Sequence, residues 1–532
     1  MKNRVVYRNI SSRVQCLMRR VPGPVVLLIL DGIASNEPYD GNAVAAAKTP
    51  FLESLWDSYP HGLLHASGEH VGLPVNVKGN SEVGHTNIGA GQVVYQYLPR
   101  INASIEKGAF YTNEALRSVI EKTKLQGTAL HILGCLSDGN VHTAIGHFKA
   151  VLEFCAKNGQ RNVFFHVFTD GRDAEPKSAS RYFEQLEQWL KEYKIGKLAT
   201  IIGRQYSMDR NKTWPRTQRA YDLLTSHIGT AVSTWSEVLA KSYSAEITDE
   251  FLEPYVLQDK EVEAQGFVKD GDGIIFLNFR PDRALQLSQA FVIEEFLGFE
   301  RKKTIKNLSF VSMVRYQKDL PVAVAFHPMD VKMPLGRVVS MAGMRQLRLT
   351  ESQKFPHVTY FINGGANTVY PGEMRINIPS PDVPTFDLKP EMSIYEITET
   401  FKKNLGYNVY DLFIMNFANG DMVGHSGVFD AGVKAVEHVD TCTAQVVKHV
   451  LALNGAVFIT ADHGNIDEMT NQLTGEMDTE HSIFPVPFIS VYKGAKNSYQ
   501  LPLGSLQDIA PTVLDFLGIE IPPDMTGRIL VE

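Results

Sequence analysis

The chain has 532 residues, 44% hydrophobic and 21% charged, and 52 basic against 59 acidic side chains give a formal net charge of -7. That length supplies more than one hydrophobic core, and the mild acidity argues against a general nucleic-acid binder. Its longest purely aliphatic run, Val25 to Leu30, is far short of the roughly 20 residues that cross a membrane.

The first 20 residues carry Lys2, Arg4, Arg8, Arg13, Arg19 and Arg20 and no acid. This reads as a basic tail before the first strand; the alternative is an organelle transit peptide, which shares that composition. Cys16, Cys135, Cys155 and Cys442 show no C-x-x-C spacing, as expected of thiols in a reduced, cytoplasmic protein.

Val25 to Leu30 then forms a continuous apolar run that ends in Asp31-Gly32. Such runs are buried parallel strands. The pattern recurs at Ala129 to Leu133, before His142, and at Val163 to Thr169, which ends in Asp170-Gly171-Arg172-Asp173. It recurs at Ile201-Ile202 before Gly203-Arg204, at Ile274 to Phe279 before Arg280, and at Val358 to Ile362 before Asn363-Gly364-Gly365. Leu412 to Phe417 leads to Asp421, and Val457 to Thr460 leads to Asp462-His463. Helical patterns such as Phe148 to Lys157 and Lys177 to Tyr193 lie between the runs. Alternation of strand and helix predicts an α/β fold with mainly parallel sheets, whose ligands bind outside the carboxyl ends of the strands.

The strand ends differ in charge. In the middle they carry Arg172, Arg204, Arg210, Arg280 and Arg283; before and after they carry Asp, Ser and His. The reading is two domains. One binds metal and is discontinuous, residues 21–97 and 325–532; the other, residues 98–324, is inserted into it and binds an anion. Residues 1–20 stand apart as the basic extension.

Ser81 lies in Lys78-Gly79-Asn80-Ser81-Glu82-Val83-Gly84-His85, with no Gly-x-Ser-x-Gly elbow around it. A serine hydroxyl needs a base or a metal to act as nucleophile. Asp31, Asp421, His425, Asp462, His463 and His481 are candidate metal ligands, and with Ser81 they suffice for two ions. A lone Asp at a strand end usually caps the next helix. Six Asp and His residues at such turns favour metal. Mixed carboxylate and imidazole ligands suit Mn²⁺, Zn²⁺ or Co²⁺ better than Ca²⁺ or an all-oxygen Mg²⁺ site. The arginines suit a small dianion or trianion, against surface salt bridges as the plainer alternative. His142 divides evenly between a structural and a ligand-contacting role, and Lys354 reads by default as a solvated surface lysine.

Asn80-Ser81-Glu82-Val83-Gly84-His85, Thr169 to Asp173, Asn278 to Arg283 and Thr460 to Asn465 resemble cofactor-independent phosphoglycerate mutases. The run from Asp508 to Leu514 through Met525-Thr526-Gly527 resembles the wider alkaline phosphatase superfamily. The resemblance implies an alkaline-phosphatase-like metal domain split by an inserted substrate-binding transferase domain. It implies interconversion of 3- and 2-phosphoglycerate in glycolysis and gluconeogenesis, without 2,3-bisphosphoglycerate. Ser81 is then the phosphorylated nucleophile. Asp421, His425 and His481 hold one Mn²⁺, and Asp31, Ser81, Asp462 and His463 hold the other, with Mg²⁺, Co²⁺ or Zn²⁺ as alternatives. His142, Arg172, Asp173, Arg204, Arg210, Arg280, Arg283 and Lys354 contact the substrate, and Asp173 is the candidate base for its 2-hydroxyl. The expected protein is a monomer with a small-molecule substrate and neither nucleic-acid nor membrane partners, its two domains closing to exclude water. The rivals are another metal-dependent phosphatase or phosphomutase of the superfamily, and a scaffold that kept the fold without activity.

Overall fold

The computed structural model describes residues 20–472, 474–495 and 498–531. The basic extension, Arg20 apart, and Cys16 lie outside the described residues. Cys135, Cys155 and Cys442 are buried free thiols. No helix among the described residues is long and apolar enough to cross a membrane.

The chain divides into two compact units. Of the described residues, one comprises those up to Tyr95 and from Asp330 onward; the other is Gln96–Met329. Each is built on an eight-stranded sheet. Numbering strands in chain order, the first unit holds β1 (Val25–Leu30), β2 (His61–His65) and β11 (Gln346–Glu351) to β16 (Gly504–Ser505). Between these come β12 (Glu373–Ile378), β13 (Leu412–Phe417), β14 (Ala456–Thr460) and β15 (Val486–Tyr492). The spatial order is β12-β11-β13-β1-β14-β15-β2-β16. All pairs are parallel except those β15 makes with β14 and β2.

The apolar runs explain the order. Every residue of β1, β13 and β14 is buried. Strands with no polar face must sit mid-sheet with helices on both sides. In register, Ile29 of β1 pairs with Asn416 of β13 and Thr460 of β14, so the three carboxyl ends emerge side by side.

The second unit holds β3 (Leu130–Cys135), β4 (Val163–Thr169), β5 (Lys197–Gly203), β6 (Thr230–Val232), β7 (Tyr255–Leu257), β8 (Gly273–Phe276), β9 (Ser309–Val314) and β10 (Ala323–Phe326). Their order is β10-β9-β8-β3-β4-β5-β7-β6, and only the β5–β7 pair is antiparallel.

Two expected strands differ. Val358 to Ile362 is a turn of π-helix, His357–Phe361, in which the Ile362 amide donates to the His357 carbonyl at 3.1 Å. A five-residue apolar run cannot by itself distinguish a strand from a buried helical turn. Tertiary packing decides: a Cβ at Gly89 would sit 1.9 Å from the Ile362 carbonyl oxygen, so this turn lies directly against the helix Ser81–Ala90. The run Ile274 to Phe279 leaves its strand after Phe276, and Asn278 then turns its amide oxygen to the Cys135 amide at 3.2 Å.

Candidate active site

Ser81 opens the helix Ser81–Ala90, capped by Asn80, whose side chain accepts from the Val83 amide at 3.0 Å. Unpaired amides and the helix dipole at this end favour an anion. A Cβ at Gly84 would lie 2.5 Å from the Asp462 carbonyl oxygen. Only a glycine lets this helix approach the end of β14 so closely.

The strand ends complete the cluster. Asp31 follows β1, Asp421 lies in the short helix Asn419–Gly424 after β13, and Asp462-His463 follow β14. His481 comes from the loop entering β15, not from a strand end, and the Ser482 amide fastens that loop to the Gly464 carbonyl at 2.9 Å. Ser81 Oγ lies 2.8 Å from His463 Nε2 and 3.4 Å from Asp31 Oδ1. His425 Nε2 and His481 Nε2 each lie 3.2 Å from Asp421 Oδ1.

The three imidazoles are oriented alike. Nδ1 of His425, His463 and His481 donates to the carbonyls of Thr479, Gly464 and Gly79, at 2.8, 3.2 and 2.7 Å. A ring nitrogen tied to a carbonyl fixes the tautomer and leaves Nε2 to act as ligand. Hydrogen bonding to Asp421 raises the His425 pKa; burial works against the His481 charge, but Asp421 raises it too.

Lys354 is buried, not solvated. Its Nζ lies 2.6 Å from each of Asp31 Oδ1, Asp421 Oδ2 and Ser81 Oγ. Burial opposes its charge, yet Asp31 and Asp421 hold its pKa above the usual lysine value. Burial and then the neighbouring Asp462 raise the Asp31 pKa. Asp421 goes the other way: burial is outweighed by Lys354 and the histidines, and its carboxyl is held well below the usual range.

The residues fit divalent cations. Three buried carboxylates face a single fixed ammonium, and buried charge demands compensation. Both Asp462 oxygens are buried; Oδ1 has no hydrogen-bond partner among the described residues, and Oδ2 has only the His85 imidazole beside it, with Nδ1 at 3.1 Å. Asp421, His425 and His481 bring ligand atoms within 4.8 Å of one another, as do Asp31, Asp421 and His463.

In the second unit the neighbouring strands β8, β3, β4 and β5 deliver Arg280 and Arg283, His142, Asp170 to Asp173, and Arg204 to one edge. Arg204 is buried. It forks onto Asp170 at 2.5 Å and onto Asp173, and its other nitrogen meets His142 Nε2 at 2.9 Å. Burial opposes the Arg204 charge, but Asp173 carries its pKa above the usual value. Burial, then Arg204, pushes His142 down to about 4.

The other arginines have loose partners. Arg172 reaches Glu250 at 2.9 Å, while Arg210 and Arg280 share Asp282 at 2.8 and 3.1 Å. Arg283 donates to the Met208 carbonyl at 3.1 Å. Its pKa is lowered by burial and by the like charges of Arg204, Arg210 and Arg172. Such crowding of guanidiniums suits an anionic ligand.

Sequence reasoning gave no role to His85, Asn416, Asp170 or Glu250. A serine–histidine i, i+4 pair in a helix start, and a lone amide in the apolar run Leu-Phe-Ile-Met-Asn-Phe of β13, were signals available for the first two.

Comparison with known proteins settles the family. A 2,3-bisphosphoglycerate-independent phosphoglycerate mutase of Clostridium novyi (strain NT) is 46% identical over 508 residues, 95% of this chain and 99% of that protein. The chain belongs to the 2,3-bisphosphoglycerate-independent phosphoglycerate mutases. The enzyme of that name from Clostridium tetani (strain Massachusetts / E88) is likewise 46% identical, over 96% of this chain and 99% of its own length. The BPG-independent PGAM N-terminus family matches residues 101–318, and the sulfatase family matches residues 394–519. Among solved structures, Leishmania mexicana phosphoglycerate mutase at low cobalt concentration is 30% identical, covering 97% of this chain and 99% of that one, with a TM-score of 0.58. As a phosphoglycerate mutase of this family the protein is an enzyme that interconverts 3- and 2-phosphoglycerate, needs divalent metal and does not use 2,3-bisphosphoglycerate.

Proposed function

We propose that the mutase works through a phosphoserine at Ser81, in a first unit that is an alkaline-phosphatase-like metal domain and a second that is the substrate-binding transferase domain. Asp421, His425 and His481 would hold one ion, and Asp31, Ser81, Asp462 and His463 the other. Mn²⁺ suits this carboxylate and imidazole set. Two bound ions supply charge neutralisation for both the attacking and the leaving oxygen of an in-line phosphoryl displacement.

The chain's own residues do the rest. Ser81 Oγ, at a helix N-terminus and 2.6 Å from the Lys354 ammonium, is the acceptor, and this placement is the observation that carries the reading. Lys354 stays cationic, so it is an electrostatic partner and not a base. Arg204 locks Asp170, Asp173 and His142 into one constellation. Arg172, Arg210, Arg280 and Arg283 bind the charged groups of phosphoglycerate, and glycerate remains with them between the two transfers. Asp173, partly exposed, is the group within this set that can take the proton of the glycerate 2-hydroxyl. The enzyme so read works as a monomer in the cytoplasm.

The test is coupled conversion of 3- to 2-phosphoglycerate, with and without chelator and with and without 2,3-bisphosphoglycerate. Activity should vanish with chelator, return with Mn²⁺ and be indifferent to the bisphosphate. Full turnover by protein shown by elemental analysis to be metal-free would refute the metal reading.

A further inference from the structure

Behind Ser81 lies a polar chain that no ligand assignment uses. Asn416 is the single amide in β13 and is fully buried. Its Nδ2 lies 2.6 Å from Asp31 Oδ2 and 3.1 Å from His85 Nε2. His85 is also fully buried, one turn along the helix from Ser81, and its Nδ1 lies 2.9 Å from the Ser81 carbonyl oxygen. The same Nδ1 is 3.1 Å from Asp462 Oδ2.

Asp31, His85 and Asp462 thus bring three ligand-type atoms within 4.8 Å of one another and could pass for a metal site. The hydrogen bonds say otherwise. A carboxylate facing the Asn416 amide requires the NH₂ group there, which fixes the amide orientation. That nitrogen can only donate to His85 Nε2, so Nε2 is an acceptor. The Ser81 carbonyl can only accept, so Nδ1 carries the hydrogen. A protonated Nδ1 cannot ligate a metal, and the lone pair on Nε2 is taken by the amide.

We infer that Asn416 and His85 are a positioning pair. Asn416 sets the orientation of the Asp31 carboxylate; His85 anchors the backbone of the nucleophile and presents an N–H edge to Asp462. Together they would tie both carboxylates proposed for the second ion, and Ser81, to β13. This rests on the proposal that Asp31, Ser81, Asp462 and His463 hold that ion. Partners of this kind tune metal affinity about 10–100-fold.

The test is Mn²⁺ titration of the metal-free full chain by calorimetry, with bound ions counted by electron paramagnetic resonance. Wild type should take two ions. Asn416→Leu keeps the volume and removes the donors; it should weaken one ion about 10–100-fold and leave the other unchanged. A merely structural role would disturb both or neither. Should Asn416→Leu fail to fold, His85 decides. His85→Asn keeps a donor near the Nδ1 position and should bind both ions more tightly than His85→Ala. Two ions bound with wild-type affinity by Asn416→Leu, or by both His85 variants, would overturn the inference alone. Fewer than two ions in wild type would overturn the ligand proposal, and this inference with it.

Discussion

The Nζ of Lys354 lies 2.6 Å from the Oγ of Ser81. Both are buried, and the ammonium also touches Asp31 and Asp421. A fixed cation against a hydroxyl lowers the cost of negative charge on that oxygen. Lys354→Met should therefore cut kcat by about 10²–10³, the scale for losing one preorganised donor. Steady-state kinetics at saturating Mn²⁺ checks it, and wild-type turnover in the variant would exclude the role.

Arg204 and Arg280 should behave oppositely. Arg204 is buried among Asp170, Asp173 and His142, and removing one partner of a buried pair costs about 3–5 kcal/mol. Arg204→Met should lose stability on that scale in urea unfolding. Arg280 is about half exposed on Asp282. Arg280→Ala should barely change stability, because exposed pairs contribute about 0–1 kcal/mol. It should weaken phosphoglycerate binding by about 1.5–3 kcal/mol, the scale of a hydrogen bond to a charged group. Loss of metal in either variant would contradict the assignment of ligands to the first unit.

The second unit should lose stability in acid through its histidines. Burial pushes His142 down to about 4 and His147 to about 3, and holds His166 well below its ordinary value. The unfolded chain takes up these protons near pH 6.5. Between pH 6.5 and the native values the unfolded state binds more protons, so this stability is complete above pH 6.5, drains away as pH falls from there, and is fully lost below about 4 for His142 and about 3 for His147. His142→Gln should remove its share, roughly 2 kcal/mol of the loss between pH 7 and pH 5. Equal losses in wild type and variant over that interval would show that His142 is not held neutral.

Much of this was legible in the chain because buried parallel strands write themselves as continuous apolar runs. Val25 to Leu30 and Leu412 to Phe417 are strands with those bounds, and the polar residues after them stand at their carboxyl ends. Val358 to Ile362 was misread because five apolar residues carry no usable period, and the helix it packs on, Ser81–Ala90, is more than 250 positions away. Lys354 was singled out only by the family resemblance, and its burial was illegible for a related reason. Lysine is almost always solvated, and nothing near it in the sequence shows that Asp31 and Asp421 await it. Its burial follows from a turn, Ser352–Lys354, that carries it off the end of β11. His85 and Asn416 were legible as oddities, a histidine and an amide among buried neighbours, but their partners could be named only from the fold.

The central claim is that phosphate passes through Ser81. Wild-type enzyme mixed with ³²P-labelled 3-phosphoglycerate, quenched in neutral detergent during turnover and digested near neutral pH, should carry label on the peptide containing Ser81, and that label should survive acid, as phosphoserine does and phosphohistidine does not. Ser81→Ala should bind phosphoglycerate, retain metal and show neither label nor turnover. Label confined to a histidine such as His85 or His142, or substantial mutase activity in Ser81→Ala, would contradict the account.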